Sequence, residues 1–162
     1  MSIVNTKHVK DRRKLHFASI EDAIRDAQLL ADAEANGTLK RLGNWPLGQA
    51  FGHIAGWMNF AFDGYPPDLR PPWLLKVILR ALKSRFMRGM PAGVRIGKVE
   101  GGTKNMEPLS KAEGLARLKA AWQRMGQNAP TQANPIFGPL SHEEWITMNL
   151  RHAELHQSFY VP

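Results

Sequence analysis

Apolar positions recur at helical spacing in five stretches of the chain, and capping or breaking residues bracket each one. Ser19-Ile-Glu-Asp22 reads as an N-cap with an acid three residues on, and Ala23, Ala27, Leu30 and Ala31 carry the stripe to about Ala35, ahead of Asn36-Gly37. Asn44-Trp45-Pro46 predicts a second helix, opened by a cap and an early proline and running to about Phe62. Pro71-Pro72 opens a third, through about Arg88. Ser110-Lys-Ala-Glu113 is a full capping box ahead of Leu115, Leu118, Ala121, Trp122 and Met125. Ser141-His-Glu-Glu144 is another, opening a last helix that ends near Tyr160. No run alternates convincingly at period two, and the 11 prolines all fall outside the interiors of these windows.

The fold expected is therefore all-α: a four-helix bundle with an additional amphipathic basic helix, about 71–88, between the second and third bundle helices. Residues 1–18 read as a basic N-terminal extension, 89–109 as a long irregular loop, and 1–162 as one domain. A chain of 162 residues buries a core large enough to do without staples, and the absence of cysteine excludes disulfides, a protein thiolate nucleophile and cysteine-ligated metal.

Charge adds a second layer. The net +8 comes from 22 Lys and Arg against 14 Asp and Glu. Arg70, Lys76, Arg80, Lys83, Arg85, Arg88, Arg95, Lys98 and Lys104 face one acid, Glu100, so the whole excess sits in segment 70–104 and the remainder is neutral. In the third helix Trp73, Leu74, Val77, Ile78, Ala81 and Leu82 make one face and Lys76, Arg80 and Lys83 another. The favoured reading docks the apolar face on the bundle and leaves the basic side in water. The alternative is a non-enzymatic binding module meeting anionic membrane or nucleic acid through segment 70–104. A third reading has the basic face guide an anionic substrate. No secretory segment follows the basic N-terminus and the apolar window 73–82 is too short to span a bilayer, so a cytoplasmic protein is expected.

Gly48, Gly52 and Gly56 recur at four-residue spacing on the second helix. Each costs about 1 kcal/mol against alanine, which calls for compensation by close approach of a neighbouring helix or by a ligand cavity on that face.

The chemistry points to histidine. On a helical projection with His152 at zero, Trp145, Met148, His156 and Phe159 all lie within about 40°, which sets both imidazoles in the core-facing stripe with Glu143, Leu150 and Glu154 behind. Two core imidazoles at this spacing are either hydrogen-bonded to polar partners or joined by a divalent cation. His53, among Ala50, Ile54, Trp57 and Phe60 on the second helix, supplies a third imidazole. Three such ligands leave a position open for water or substrate. Gln49 and Asn149 sit one turn from the ligands as supporting or substrate contacts, with Trp57 beside His53. His8, His16 and His142 read as surface residues.

A lone histidine on the second helix with His-x-x-x-His on the last resembles the DinB-like (YfiT-like) superfamily of bacterial proteins. Asn44-Trp45-Pro46-Leu47-Gly48-Gln49 through His53, and Asn134-Pro135-Ile136-Phe137-Gly138-Pro139-Leu140-Ser141 with Trp145, are similar to an uncharacterised branch of it. The resemblance implies that His53, His152 and His156 bind a divalent metal, Zn²⁺ or Ni²⁺. Where this chain has Asn134 and Leu155 that branch often carries histidine, and helix 71–88 looks like an insertion.

Superfamily members of known chemistry include S-transferases using mycothiol or bacillithiol and a maleylpyruvate isomerase. The expectation is a metal-dependent enzyme in which the metal activates a low-molecular-weight thiol toward a small-molecule substrate. Metal-activated water attacking an ester or amide is the runner-up. No carboxylate is clearly placed as general base: Glu144 and Asp63 lie about 80° off the histidine faces and Glu154 points away. A homodimer is left open.

Overall fold

The computed structural model describes residues 4–69, 72–94, 103–104 and 107–162. Arg70, Pro71, Arg95, Lys98 and Glu100 of the basic segment lie outside these, as does much of the long loop. In chain order the elements are α1 (Ile20–Ala35), β1 (Lys40–Arg41), α2 (Leu47–Asp63), α3 (Trp73–Ala81), α4 (Lys83–Phe86), α5 (Lys111–Gln127), α6 (His142–Gln157) and β2 (Tyr160–Val161), with short 3-10 turns at Thr6–His8 and Pro67–Leu69.

The structure is an all-α bundle of α1, α2, α5 and α6, in which α5 and α6 each pack on both α1 and α2. Three of its helices start where their serines dictate. Ser19, Ser110 and Ser141 each accept from the backbone N–H three residues on, and Asp22, Glu113 and Glu144 return the bond to complete capping boxes. The second helix departs from expectation: Pro46 occupies the cap position of α2 and no side chain caps it. Asn44 instead holds the N-terminal segment, its amide oxygen accepting from Val4 N–H at 2.8 Å and its NH₂ donating to the Val4 carbonyl at 2.9 Å.

Trp122, Trp145, Phe51, Leu30, Leu47, Ile54, Met58, Leu118 and Met125 fill the centre of the bundle. Along the glycine stripe a close helix approach is realised at one end, and an open cavity lies toward the other. At Gly48 the backbones of α2 and α5 touch, since a Cβ on Gly114 would lie 2.8 Å from the Gly48 Cα. Farther along, Gly52 and Gly56 line a cavity of about 260 Å³ with Asn59, Leu109, Arg117 and Arg124.

Residues 12–17 do not hang off the bundle as an extension. Phe17 is buried, Arg13 makes a two-pronged ion pair with Asp26 at 2.6 and 2.8 Å, and Arg12 donates to Ser158 Oγ. The segment thereby covers the side of α6 that carries Arg151 and Glu154, and Glu154, like Leu150, is buried although its helical phase set it at the back. Arg151 pairs with Glu154 at 3.1 Å and donates to the Phe17 carbonyl at 2.7 Å.

A two-stranded antiparallel pairing, Lys40 with Val161 and Arg41 with Tyr160, escapes any period-two analysis because each strand is two residues long. It ties the segment after α6 to the connection before α2.

The basic helix expected over 71–88 is two helices, broken at Leu82, and it is oriented opposite to the favoured reading. The apolar face of α3 points to water, with Trp73 76% and Ile78 50% exposed. Its basic side turns inward: Lys83 donates to Glu144 at 2.6 Å and the Arg80 guanidinium lies against Gly138. Phe86 anchors α4 on Phe137, ring centroids 5.5 Å apart.

Candidate metal centre

His53 is placed by α2, in the turn after the glycine-mediated contact with α5, and is 2% exposed. His152 and His156 come from successive turns of α6. The structure brings the three together: one ring nitrogen from each lies within 4.8 Å of the others, an arrangement that could hold a metal ion. The His152 and His156 Nε2 atoms are 3.0 Å apart. Two imidazoles on one tetrahedral ion at 2.0–2.1 Å would place their nitrogens about 3.3 Å apart, so the pair stands close to a coordinating separation.

Local bonding selects the tautomer of His53. Its Nδ1 lies 2.8 Å from the Lys104 carbonyl, a pure acceptor, so Nδ1 carries the proton and donates it. The lone pair is left on Nε2, which is how metal-binding imidazoles are commonly oriented. Burial pushes the His53 pKa down to about 4, the Lys104 bond opposing the shift, and pushes those of His152 and His156 well below the ordinary value. All three rings are neutral near pH 7, the form in which imidazole coordinates.

Two tryptophans wall the cluster. Trp45 stacks on His156, centroids 5.1 Å apart at 12°, and meets His53 at 4.9 Å. Its backbone carbonyl accepts from Tyr160 Oη at 2.8 Å, so the segment after α6 helps hold this wall in place. Trp57 stands on the other side, 6.1 Å from His53 and 6.2 Å from His152, with its indole N–H buried and lacking a partner among the described residues. Arg12 lies near enough for its charge to help depress His156; it is braced by Ser158 Oγ and by the Phe159 ring 4.2 Å away.

The other residues singled out from sequence divide. Gln49 sits half-buried one turn before His53. Asn149 is buried, one turn before His152 on the histidine face of α6, its amide donating to the Trp145 carbonyl at 2.9 Å. The imidazoles are not at the centre of the buried side of α6: His152 and His156 are mostly buried, whereas Asn149, Ala153 and Gln157 are fully so. His142 is not a free surface residue, since its Nε2 donates to the Met125 carbonyl at 2.6 Å. His16 is exposed yet bonded to Arg151. Asn134, where histidine had been the point of comparison, organises a turn by accepting from the Ile136 and Phe137 N–H groups at 2.9 and 3.0 Å.

Sequence reasoning assigned no role at the site to Arg12 or to the Lys104 carbonyl, and quoted Trp45 only as part of a motif. The carbonyl carries no side-chain signature, while Arg12 was hidden in a segment read as an extension. All three carboxylates weighed as bases are engaged elsewhere: Asp63 with Arg124 at 2.7 Å, Glu144 with Lys83, and Glu154 with Arg151.

No curated protein and no solved structure matches the chain. One family does: its profile, described as "Protein of unknown function (DUF1569)", matches residues 9–162, a span that takes in all three histidines. On that match the chain belongs to the DUF1569 family.

Proposed function

We propose that this chain is a divalent-metal-dependent enzyme of the DinB-like kind, in which His53, His152 and His156 hold Zn²⁺ or Ni²⁺ and a low-molecular-weight thiol is transferred to a small electrophilic substrate. The observation that carries the reading is the His53–Lys104 bond: it fixes the protonated nitrogen on one side of a buried ring and leaves the lone pair for the cluster. When bound, the ion would supply Lewis acidity that makes a thiol anionic near neutral pH.

The chain's own residues do the rest. Neutral imidazoles give the ion three nitrogen donors without cancelling its charge. Trp45 and Trp57 limit the water around the cluster, and the Arg12 cation favours an anionic sulfur or carboxylate beside it. In the transfer the sulfur bonds to the electrophilic carbon as the bond to the leaving group breaks, and the thiol proton passes to solvent. This step needs no protein carboxylate, in keeping with Asp63, Glu144 and Glu154 all being committed to ion pairs. Attack by metal-activated water on an ester or amide is the second reading, since a three-histidine ion would acidify water as it would a thiol.

Elemental analysis of protein purified without a nickel column, repeated on His152→Ala, tests the site. Wild type that holds no metal and takes none up would sink the proposal. If metal binds, a panel of thiols with an electrophilic acceptor tests the transfer, and an ester and amide panel tests the hydrolytic reading.

A further inference from the structure

An amphipathic helix in a globular protein normally turns its apolar stripe inward. In α3 the stripe of Trp73, Leu74, Val77, Ile78 and Leu82 is 41–76% exposed, and no described residue covers it. The orientation is held from behind, by the Lys83–Glu144 ion pair, by Arg80 against Gly138 and by Phe86 on Phe137. The leucines are thus presented on an anchored ridge and not on a loose arm. A contiguous apolar surface of this sort marks a place of interaction.

Charge decides among occupants. From Pro72 to Val94 there are five cations, Lys76, Arg80, Lys83, Arg85 and Arg88, and no acid. A second copy seated on this ridge would bring cations against cations. Nucleic acid would satisfy the arginines but leave the leucines in water. An anionic bilayer accepts both, taking the apolar stripe at the acyl boundary and the exposed Arg85 and Arg88 at the headgroups, with Trp73 at an interfacial depth. Among the described residues no helix is long and apolar enough to cross a membrane, so contact by this ridge would be peripheral.

We propose that α3 and α4 form a docking surface for an anionic lipid bilayer, α3 lying in the plane of the interface. The test is flotation of the full chain with phosphatidylcholine vesicles, with and without phosphatidylglycerol, across a salt series. Binding is expected only to the anionic vesicles and weakens as salt rises. Arg85→Gln with Arg88→Gln should lower affinity about 30-fold, and Ile78→Asp at least about tenfold. A blue shift of tryptophan emission on binding should vanish in Trp73→Phe. None of these side chains is buried, so unchanged helical circular dichroism and thermal unfolding serve as the folding control. Absence of flotation at low salt, equal binding to neutral vesicles, or undiminished binding by Ile78→Asp would each overturn the proposal. So would concentration-dependent dimerisation that shifts Trp73 emission without lipid, since the ridge would then be covered by a second copy.

Discussion

His53 donates its Nδ1 proton to the main-chain carbonyl of Lys104 at 2.8 Å, a bond from the core of α2 to a loop residue 51 positions away. The ring is thereby oriented before any ion arrives. Removing it should cost more than one ligand of three: His53→Ala is expected to abolish stoichiometric Zn²⁺ or Ni²⁺ uptake, as is His156→Ala, in equilibrium dialysis with elemental readout. Asn149→Ala should keep the metal, because its amide serves the Trp145 carbonyl, and should lose about 1 kcal/mol of stability.

The neutral histidines make the chelator-treated protein sensitive to acid. The His53 pKa falls from 6.5 in the unfolded chain to about 4 in the fold. Its contribution is fully present above pH 6.5, is lost as pH falls toward 4, and levels off below, because the unfolded state binds the proton first. On the order of 3 kcal/mol should disappear over that window from His53 alone, with His152 and His156 adding in the same direction. Urea midpoints measured from pH 7 to pH 4 check this; a flat profile would contradict the buried neutral state.

The crossing of α2 and α5 should tolerate no added methyl. Gly114→Ala would drive a Cβ into the Gly48 backbone, and Gly48→Ala would meet the carbonyls of Leu109 and Ser110. A loss of about 1–3 kcal/mol or more is expected for each. Gly126→Ala is the control, since its Cβ would meet only the movable Ile20 Cδ1 at 3.2 Å, and helix propensity offsets the strain. Thermal unfolding of the three variants separates them.

Ion pairs should divide by burial. Glu154→Ala would strand the Arg151 guanidinium, whose side chain is 5% exposed, and should cost about 3–5 kcal/mol. Glu107→Ala breaks an open pair with Arg117, 64% and 55% exposed, and should cost under about 1 kcal/mol. Chemical denaturation measures both.

The bundle was legible because its signals are local. Serine with an acid three residues on fixes the start of α1, α5 and α6 through bonds that close within one turn. The histidines were legible because a polar ring on an otherwise apolar stripe is conspicuous. What failed was long-range. Helical phase alone placed Glu154 at the back, since nothing in the periodicity of α6 announces that Phe17 and its neighbours will lie over it. Phase also gave α3 an apolar face without saying which way it turns; Glu144 and Phe137, which hold it, are far along the chain. Asn44 was read as a helix cap, yet a partner 40 residues away wins its amide.

The cluster gathers ligands separated by about a hundred residues of chain, and a bundle must already be assembled for them to meet. Closing so long a loop slows the encounter more than it penalises the product. In a zinc finger the ion and the fold arrive together, because ligands lie close in sequence and no core exists without them. Here the nine large apolar residues at the centre of the bundle, from Leu30 to Trp145, make a core with no ion. A metal bound by this cluster would therefore be a late lock on a finished scaffold and not a seed for folding, and a chelator should strip it while the helices stand.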